Sequence, residues 1–133
     1  MVVVKKTYLY LVILLCIAAW AFAHGWMAPK KEAEKKNPIK KDEQTIHLGQ
    51  TIFSEFCMDC HGKDAKGMGS GAVGLDSPPP DLQKTLKSHS DGDFFWKIKT
   101  GRKEMPSFKN DLEEKEIWSV IHYLRSLGQS SDS

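Results

Sequence analysis

Cys57-Met58-Asp59-Cys60-His61 places two thiols three positions apart, with an imidazole directly after the second. Two thiols at that spacing can each add to a vinyl group on one edge of a porphyrin, while the next residue sets its imidazole beneath the iron. The pattern is the attachment signal for c-type haem. A thioredoxin-like redox pair wants a strand-to-helix context, and half a zinc site wants a second pair of ligands. The third and last cysteine, Cys16, lies in an apolar N-terminal run and serves neither rival. One haem, covalent through Cys57 and Cys60, is therefore expected. His61 is its expected proximal iron ligand, neutral, with the other ring nitrogen oriented by an acceptor such as a carbonyl of Pro78 to Pro80.

For the far side of the iron the sequence offers Met27, Met58, Met68 and Met105, together with His24, His47, His89 and His122. Met58 is trapped inside the attachment turn, Met27 stands beside a charged segment, and Met68 follows His61 too closely to reach the other face easily. Met105 stands in Gly101-Arg102-Lys103-Glu104-Met105-Pro106, a loop between two helical patterns that Pro106 stiffens. A methionine can equally fill a gap in a core. Beside a haem, this loop methionine is the favoured second ligand. His122, on the last helix, is the reserve.

Three helices must position these groups. Ile46, Gly49, Ile52, Phe53 and Phe56 recur at spacings of three and four and lead directly into Cys57. Asp91 to Thr100 reads as a shorter helix with Ser90 as its cap and Gly101 as its stop. Asp111 with Glu114 resembles a capping box. From there Ile117, Val120, Ile121, Leu124 and Leu127 line one face as far as Gly128. Between the first two helices lie Gly62, Gly67, Gly69, Gly71, Gly74 and the run Pro78 to Pro80, which exclude regular structure. A loop so long suits a compact domain when it wraps a prosthetic group. A domain of fewer than about 100 residues also buries little apolar surface unaided, and a flat apolar cofactor supplies the missing core.

At 133 residues there is room for one small domain and a targeting segment. Lys5 and Lys6 followed by the uncharged run Thr7 to Ala23 read as an export signal, and Ala21-Phe22-Ala23 favours cleavage before His24 over retention as an anchor. Residues 24–44 are rich in Lys and Glu, broken by Pro29 and Pro38, and lack apolar periodicity; they are expected to be a solvated tether. Residues 45–128 are then the cofactor domain and 129–133 a flexible tail. With 19 Lys and Arg against 17 Asp and Glu, the net charge of +2 is too balanced for a nucleic-acid binder. Local basic residues such as Lys97, Lys99, Arg102 and Lys103 remain as a candidate docking patch.

From about residue 45 to 128 the sequence resembles the class I cytochrome c family. The residues that carry the likeness, in order, are Gly49 and Phe53, Cys57 to Gly62, Pro79-Pro80-Asp81-Leu82, Gly101 with Met105-Pro106, and Trp118 to Leu124. Asp91 to Ile98 and Met105-Pro106-Ser107-Phe108 further resemble a bacterial monohaem subgroup, whose members tend to carry a Trp-x-x-Pro and Asn-Pro segment like Trp26 to Pro38. The resemblance implies a small all-α fold, with the first and last helices crossing near Gly49 and packed around one haem. Phe53 would meet the last helix around Trp118, Ile121 and Tyr123. It also implies His and Met ligation and a one-electron carrier cycling Fe(II) and Fe(III) between exported or membrane redox partners, periplasmic or attached to the outer face of the cytoplasmic membrane. The alternatives are a haem-bearing subunit of a larger membrane oxidoreductase, and an enzyme or gas sensor with an open iron site. The chain is expected as a monomer or a complex subunit, and not as an enzyme.

Overall fold

The computed structural model describes residues 25–129. The expected export signal or anchor, residues 1–23, lies outside them, as does the tail beyond Gln129. No helix among the described residues is long and apolar enough to cross a membrane. The elements in order are α1 (Lys30–Ala33), α2 (Glu43–Phe56), α3 (Met58–His61), a single 3₁₀ turn (Ser70–Ala72), α4 (Leu82–Thr85), α5 (Asp91–Thr100) and α6 (Glu114–Gln129). The described residues are helical and contain no strand beyond one isolated bridge between Arg102 and Met105.

Local chemistry accounts for the helix starts. Asp42 caps α2: its Oδ1 accepts the Thr45 N–H at 3.0 Å, and its own N–H donates to Thr45 Oγ1 at 3.0 Å. Ser90 Oγ accepts the Asp93 N–H at the start of α5. The last helix begins at Glu114, three residues after the expected start. The reciprocal contact is instead made by Glu116, whose carboxylate accepts the Glu113 N–H at 2.8 Å. Gly128 lies inside α6, so that helix passes through its expected stop. The glycine- and proline-rich stretch is also more ordered than expected, since it holds the 3₁₀ turn and leads into α4, which Asp81 caps through the Lys84 N–H at 3.1 Å.

The core forms where α2 and α6 cross. Gly49 is buried at the crossing, and a Cβ placed on it would stand 2.0 Å from the carbonyl oxygen of Ser119. Only a residue without a side chain lets the two backbones approach this closely. Phe53 packs on Tyr123 with ring centroids 5.4 Å apart, and Trp118 stacks on Phe95 of α5 at 4.2 Å with the rings 14° from parallel. The three helices thus meet through aromatic pairs, each adding about 0.5–1.5 kcal/mol beyond its buried area. Substituting Gly49→Ala should therefore force the helices apart, costing about 1–3 kcal/mol as overpacking, and the check is a lowered thermal midpoint in the haem-loaded protein.

Residues 25–39 correct the expectation of a solvated tether. They form a strap along α5 and α6, held at five points. Arg102 donates to the Gly25 carbonyl at 2.7 Å, and Asp93 Oδ1 accepts the Ala28 N–H at 2.7 Å. Ser90 Oγ donates to the Ala33 carbonyl at 2.6 Å, Asn37 Nδ2 donates to the Trp118 carbonyl at 3.0 Å, and His122 Nε2 donates to the Ile39 carbonyl at 2.9 Å. Gly92 permits the approach, because a Cβ there would lie 2.2 Å from the Glu32 carbonyl oxygen. The strap is held mostly through its own backbone, so its side chains need no apolar period.

Asp93 is the centre of this attachment and is only 1% exposed. Lys97 Nζ lies 2.5 Å from its Oδ2, and His89 Nδ1 lies 2.7 Å from the same oxygen. Burial alone would raise the carboxyl, but the hydrogen bonds from Lys97, the Ala28 N–H and His89, with the Lys97 charge, hold it below the ordinary value. A lowered folded-state value means that the stabilisation is fully present above about pH 4, the unfolded value, and is lost as pH falls through the folded one. Asp93→Asn should cost about 3–5 kcal/mol at pH 7, because it leaves Lys97 buried without a counter-charge. Thermal melts should show that gap to the parent closing below pH 4, where Asp93 protonates as well.

A haem cavity between the attachment turn and the Met105 loop

Cys57 is at once the last cap of α2 and the first of α3; its φ of −121° and ψ of −33° break the helix between them. The Cys57 N–H still donates to the Phe53 carbonyl at 3.0 Å, while the Cys57 carbonyl accepts the His61 N–H at 2.9 Å. One turn therefore carries both thiols and the imidazole off the end of a helix whose other face is in the core. Gly69 packs the following loop against this turn, since a Cβ on it would stand 1.9 Å from the Asp59 carbonyl oxygen. Ser70 Oγ donates to Asp59 Oδ1 at 2.8 Å and fixes the same contact.

Opposite stands the loop between α5 and α6. The Arg102 N–H donates to the Met105 carbonyl at 2.9 Å and the Met105 N–H returns to the Arg102 carbonyl at 3.0 Å, closing a two-residue turn. Lys103 occupies that turn at φ +53°, a left-handed conformation that costs a side-chain-bearing residue roughly 1–2 kcal/mol. Gly101, at φ +65°, crosses Pro106 so closely that a Cβ would meet its carbonyl at 2.6 Å. Glu104 spans the cleft, its two carboxylate oxygens accepting the Asp76 and Ser77 N–H groups at 3.1 Å each. The methionine loop is thereby tied to the segment that enters Pro78 to Pro80.

Between the two lies a cavity of about 310 Å³ lined by Cys57, Cys60, His61 and Met105, with Pro78 to Pro80 on its wall. Trp26, Phe56, Leu75, Pro106 and Phe108 add apolar surface to it, and Arg102, Lys103 and Glu104 of the methionine loop bring charge to the same lining. Sequence reasoning missed Trp26 here; the Trp-x-x-Pro spacing marked the segment without saying what it touched. Of the other ligand candidates, Met68 is 85% exposed, Met58 is exposed, and His122 is buried on α6 against the Ile39 carbonyl. None of these three lines the cavity.

The side chains suit a haem. Burial pushes the His61 imidazole below its ordinary value, so it is neutral at pH 7, as an iron ligand must be. Its Nδ1 is buried with no hydrogen-bond partner among the described residues. The expected bond from a carbonyl of Pro78 to Pro80 is not formed, and the Pro79 carbonyl lies instead against Gly67, where a Cβ would stand 2.1 Å from its oxygen. Burial, then the neighbouring Cys60, pushes the Cys57 thiol up to about 12. A thiol so hard to ionise is the reverse of a reactive thioredoxin-type cysteine. Among the described residues no group of three His, Cys, Asp or Glu side chains could hold a metal ion.

The family described as cytochrome c oxidase, cbb3-type, subunit III, matches residues 44–124, more than half of the chain. The chain belongs to the class I cytochrome c family. It is 25% identical over 135 residues to cytochrome c550 of Pseudomonas aeruginosa, covering 85% of this chain and 87% of that one. It is 34% identical over 98 residues to the cbb3-type cytochrome c oxidase subunit CcoP of Rhodobacter capsulatus, covering 65% of this chain and 31% of that subunit. Among solved structures it resembles a chain of the Kuenenia stuttgartiensis reducing HAO-like protein complex, with a TM-score of 0.61 and 33% identity over 68% of this chain and 46% of that one. The cytochrome thus spans about a third of the CcoP subunit it matches.

Its cofactor is a covalent haem c carried by Cys57 and Cys60, and its function is haem-based electron transfer, as a carrier or as part of a complex. Of the basic residues read from sequence as a docking patch, Arg102 and Lys103 stand exposed, whereas Lys97 is withdrawn from the surface. Lys97 is buried against Asp93, Lys99 donates to Glu114 at 2.7 Å, and Arg102 is engaged by Gly25. Because the cavity is lined mostly by apolar side chains and the domain is small, the cofactor would supply part of the core. Converting both Cys57 and Cys60 to Ala, in a host that matures c-type cytochromes, should yield a chain that is unfolded or degraded; a folded, haem-free product on circular dichroism would contradict this.

Proposed function

We propose that the chain is a one-electron carrier with a closed iron site, in which His61 and Met105 would hold the haem iron between them. The observation that carries this reading is that His61 and Met105 line one cavity from separate elements, whereas Met58, Met68 and His122 are turned elsewhere. When bound, the haem supplies reversible Fe(III)/Fe(II) chemistry. The chain's own task is to hold two neutral ligands in place and to exclude water. The buried imidazole of His61 needs no proton released at neutral pH, and the Met105 thioether is soft and neutral, which favours the reduced state. The Glu104 clamp and the Arg102–Met105 turn fix the methionine loop, so little rearranges when the electron moves.

A site closed on both sides leaves no position for a substrate, which supports a carrier over an enzyme or gas sensor. Electrons would pass to and from redox proteins outside the cytoplasm, in the periplasm or at the outer face of the cytoplasmic membrane, in keeping with the export signal read at Lys5 to Ala23. The likeness to an oxidase subunit and to a chain of a redox complex favours a second reading, a haem-bearing subunit fixed in such an assembly. Gentle solubilisation separates the two, since a carrier emerges without partner chains.

Met105→Ala should keep the covalent haem, lower the reduction potential by more than about 59 mV, the value of a tenfold change in a one-electron equilibrium, and admit carbon monoxide. Met68→Ala and His122→Ala should do neither. Redox titration and carbon monoxide binding on the three variants decide the ligand.

A further inference from the structure

Trp26 belongs to the strap and not to the helical domain, yet its ring lines the same cavity as Cys57, Cys60, His61 and Met105. It is held from three directions. Lys97 Nζ stands 5.6 Å from its ring centroid and the Arg102 guanidinium carbon 5.8 Å, so two cations grip the indole. Two residues further along, the Ala28 N–H is fixed by Asp93 Oδ1 at 2.7 Å, and on the other side the Gly25 carbonyl accepts from Arg102 at 2.7 Å. Asp93 does not line the cavity, but it engages both Lys97 and Ala28. Its burial at 1% exposure makes it a rigid post.

Resting on the assignment of this cavity to haem, we propose that Trp26 is a haem-contacting residue that shields the cofactor from water, and that Asp93 is the positioning residue that seats it through the Ala28 N–H and Lys97. The strap is then a wall of the redox site. An apolar wall controls the water and the local dielectric felt by the iron, and through them the potential. Removing the indole lets water stabilise the more highly charged ferric form, so the potential falls and small ferric ligands enter faster.

The test uses the matured, haem-loaded chain. Trp26→Ala should keep the covalent haem, speed cyanide association with the ferric form about threefold or more, and shift the ferrous/ferric equilibrium toward ferric by roughly threefold to tenfold, up to about 59 mV. Trp26→Phe should restore most of both. Asp93→Leu with Lys97→Met removes the acceptor without leaving a buried charge. It should reproduce the Trp26→Ala changes, and adding Trp26→Ala to it should contribute little more, the non-additivity expected of two steps in one action. Cyanide rates and potentials unchanged in Trp26→Ala would overturn the proposal, as would a double variant that only lowers the melting temperature. A parent chain without covalent haem, by intact mass, would instead bring down the cavity's assignment and this proposal with it.

Discussion

The close approach of Gly49 to the Ser119 carbonyl is the contact on which the remaining geometry depends. It brings the backbones of α2 and α6 together, which places the end of α2, and with it Cys57, at a fixed distance from the aromatic face of α6. Trp118 on that face stacks on Phe95, orienting α5, and α5 runs out into the turn that presents Met105. The two halves of the haem site never meet through a common strand or helix. Their relative position is set by a chain of packed side chains that starts at one missing Cβ.

The cavity that results is a deliberate gap in an otherwise tightly packed small domain. Ile117, Val120 and Ile121 are almost wholly buried on the core side. On the other side, the apolar walls of the cavity face space that no side chain fills. Neutral side chains run through this site: His61 is held uncharged by burial, and attachment of the haem would turn the Cys57 and Cys60 thiols into uncharged thioethers. Charges are kept at the rim, where Glu104 spends its carboxylate on two backbone N–H groups and Arg102 serves Trp26 and Gly25. An apolar, uncharged interior suits a cofactor that must change charge by one without drawing in water.

The strap changes the meaning of the charge pattern in the sequence. Lys97 and Arg102, read along the chain, belong to a basic run that would suit a partner's acidic surface. In the folded protein Lys97 is buried against Asp93, while Arg102 stays exposed and is engaged with Trp26 and the Gly25 carbonyl. From Thr45 to Gly128 there are eleven Lys and Arg and twelve Asp and Glu, so what remains for docking is close to neutral. Five attachments over residues 25–39 also make the segment that enters the domain part of the redox site.

By itself the sequence determined the cofactor, the attachment residues and the three main helices. Covalent haem chemistry needs residue types at fixed local spacing, and an amphipathic helix writes its buried face as a period of three and four. The crossing at Gly49 and the pairing of Phe53 with the last helix followed from the resemblance to the class I cytochrome c family, since the period of one helix does not say which other helix its face meets. Only the tertiary structure decided that Trp26 joins the cavity wall, that Lys97 is buried, that His122 supports the strap, and that Met68 faces solvent. Those outcomes rest on pairs such as Ala28 with Asp93 and Ile39 with His122. In each the strap offers a backbone group, which every residue type supplies alike, to a side chain more than sixty positions away. No local pattern records such a contact, because it is chosen by the distance between elements after the core has closed.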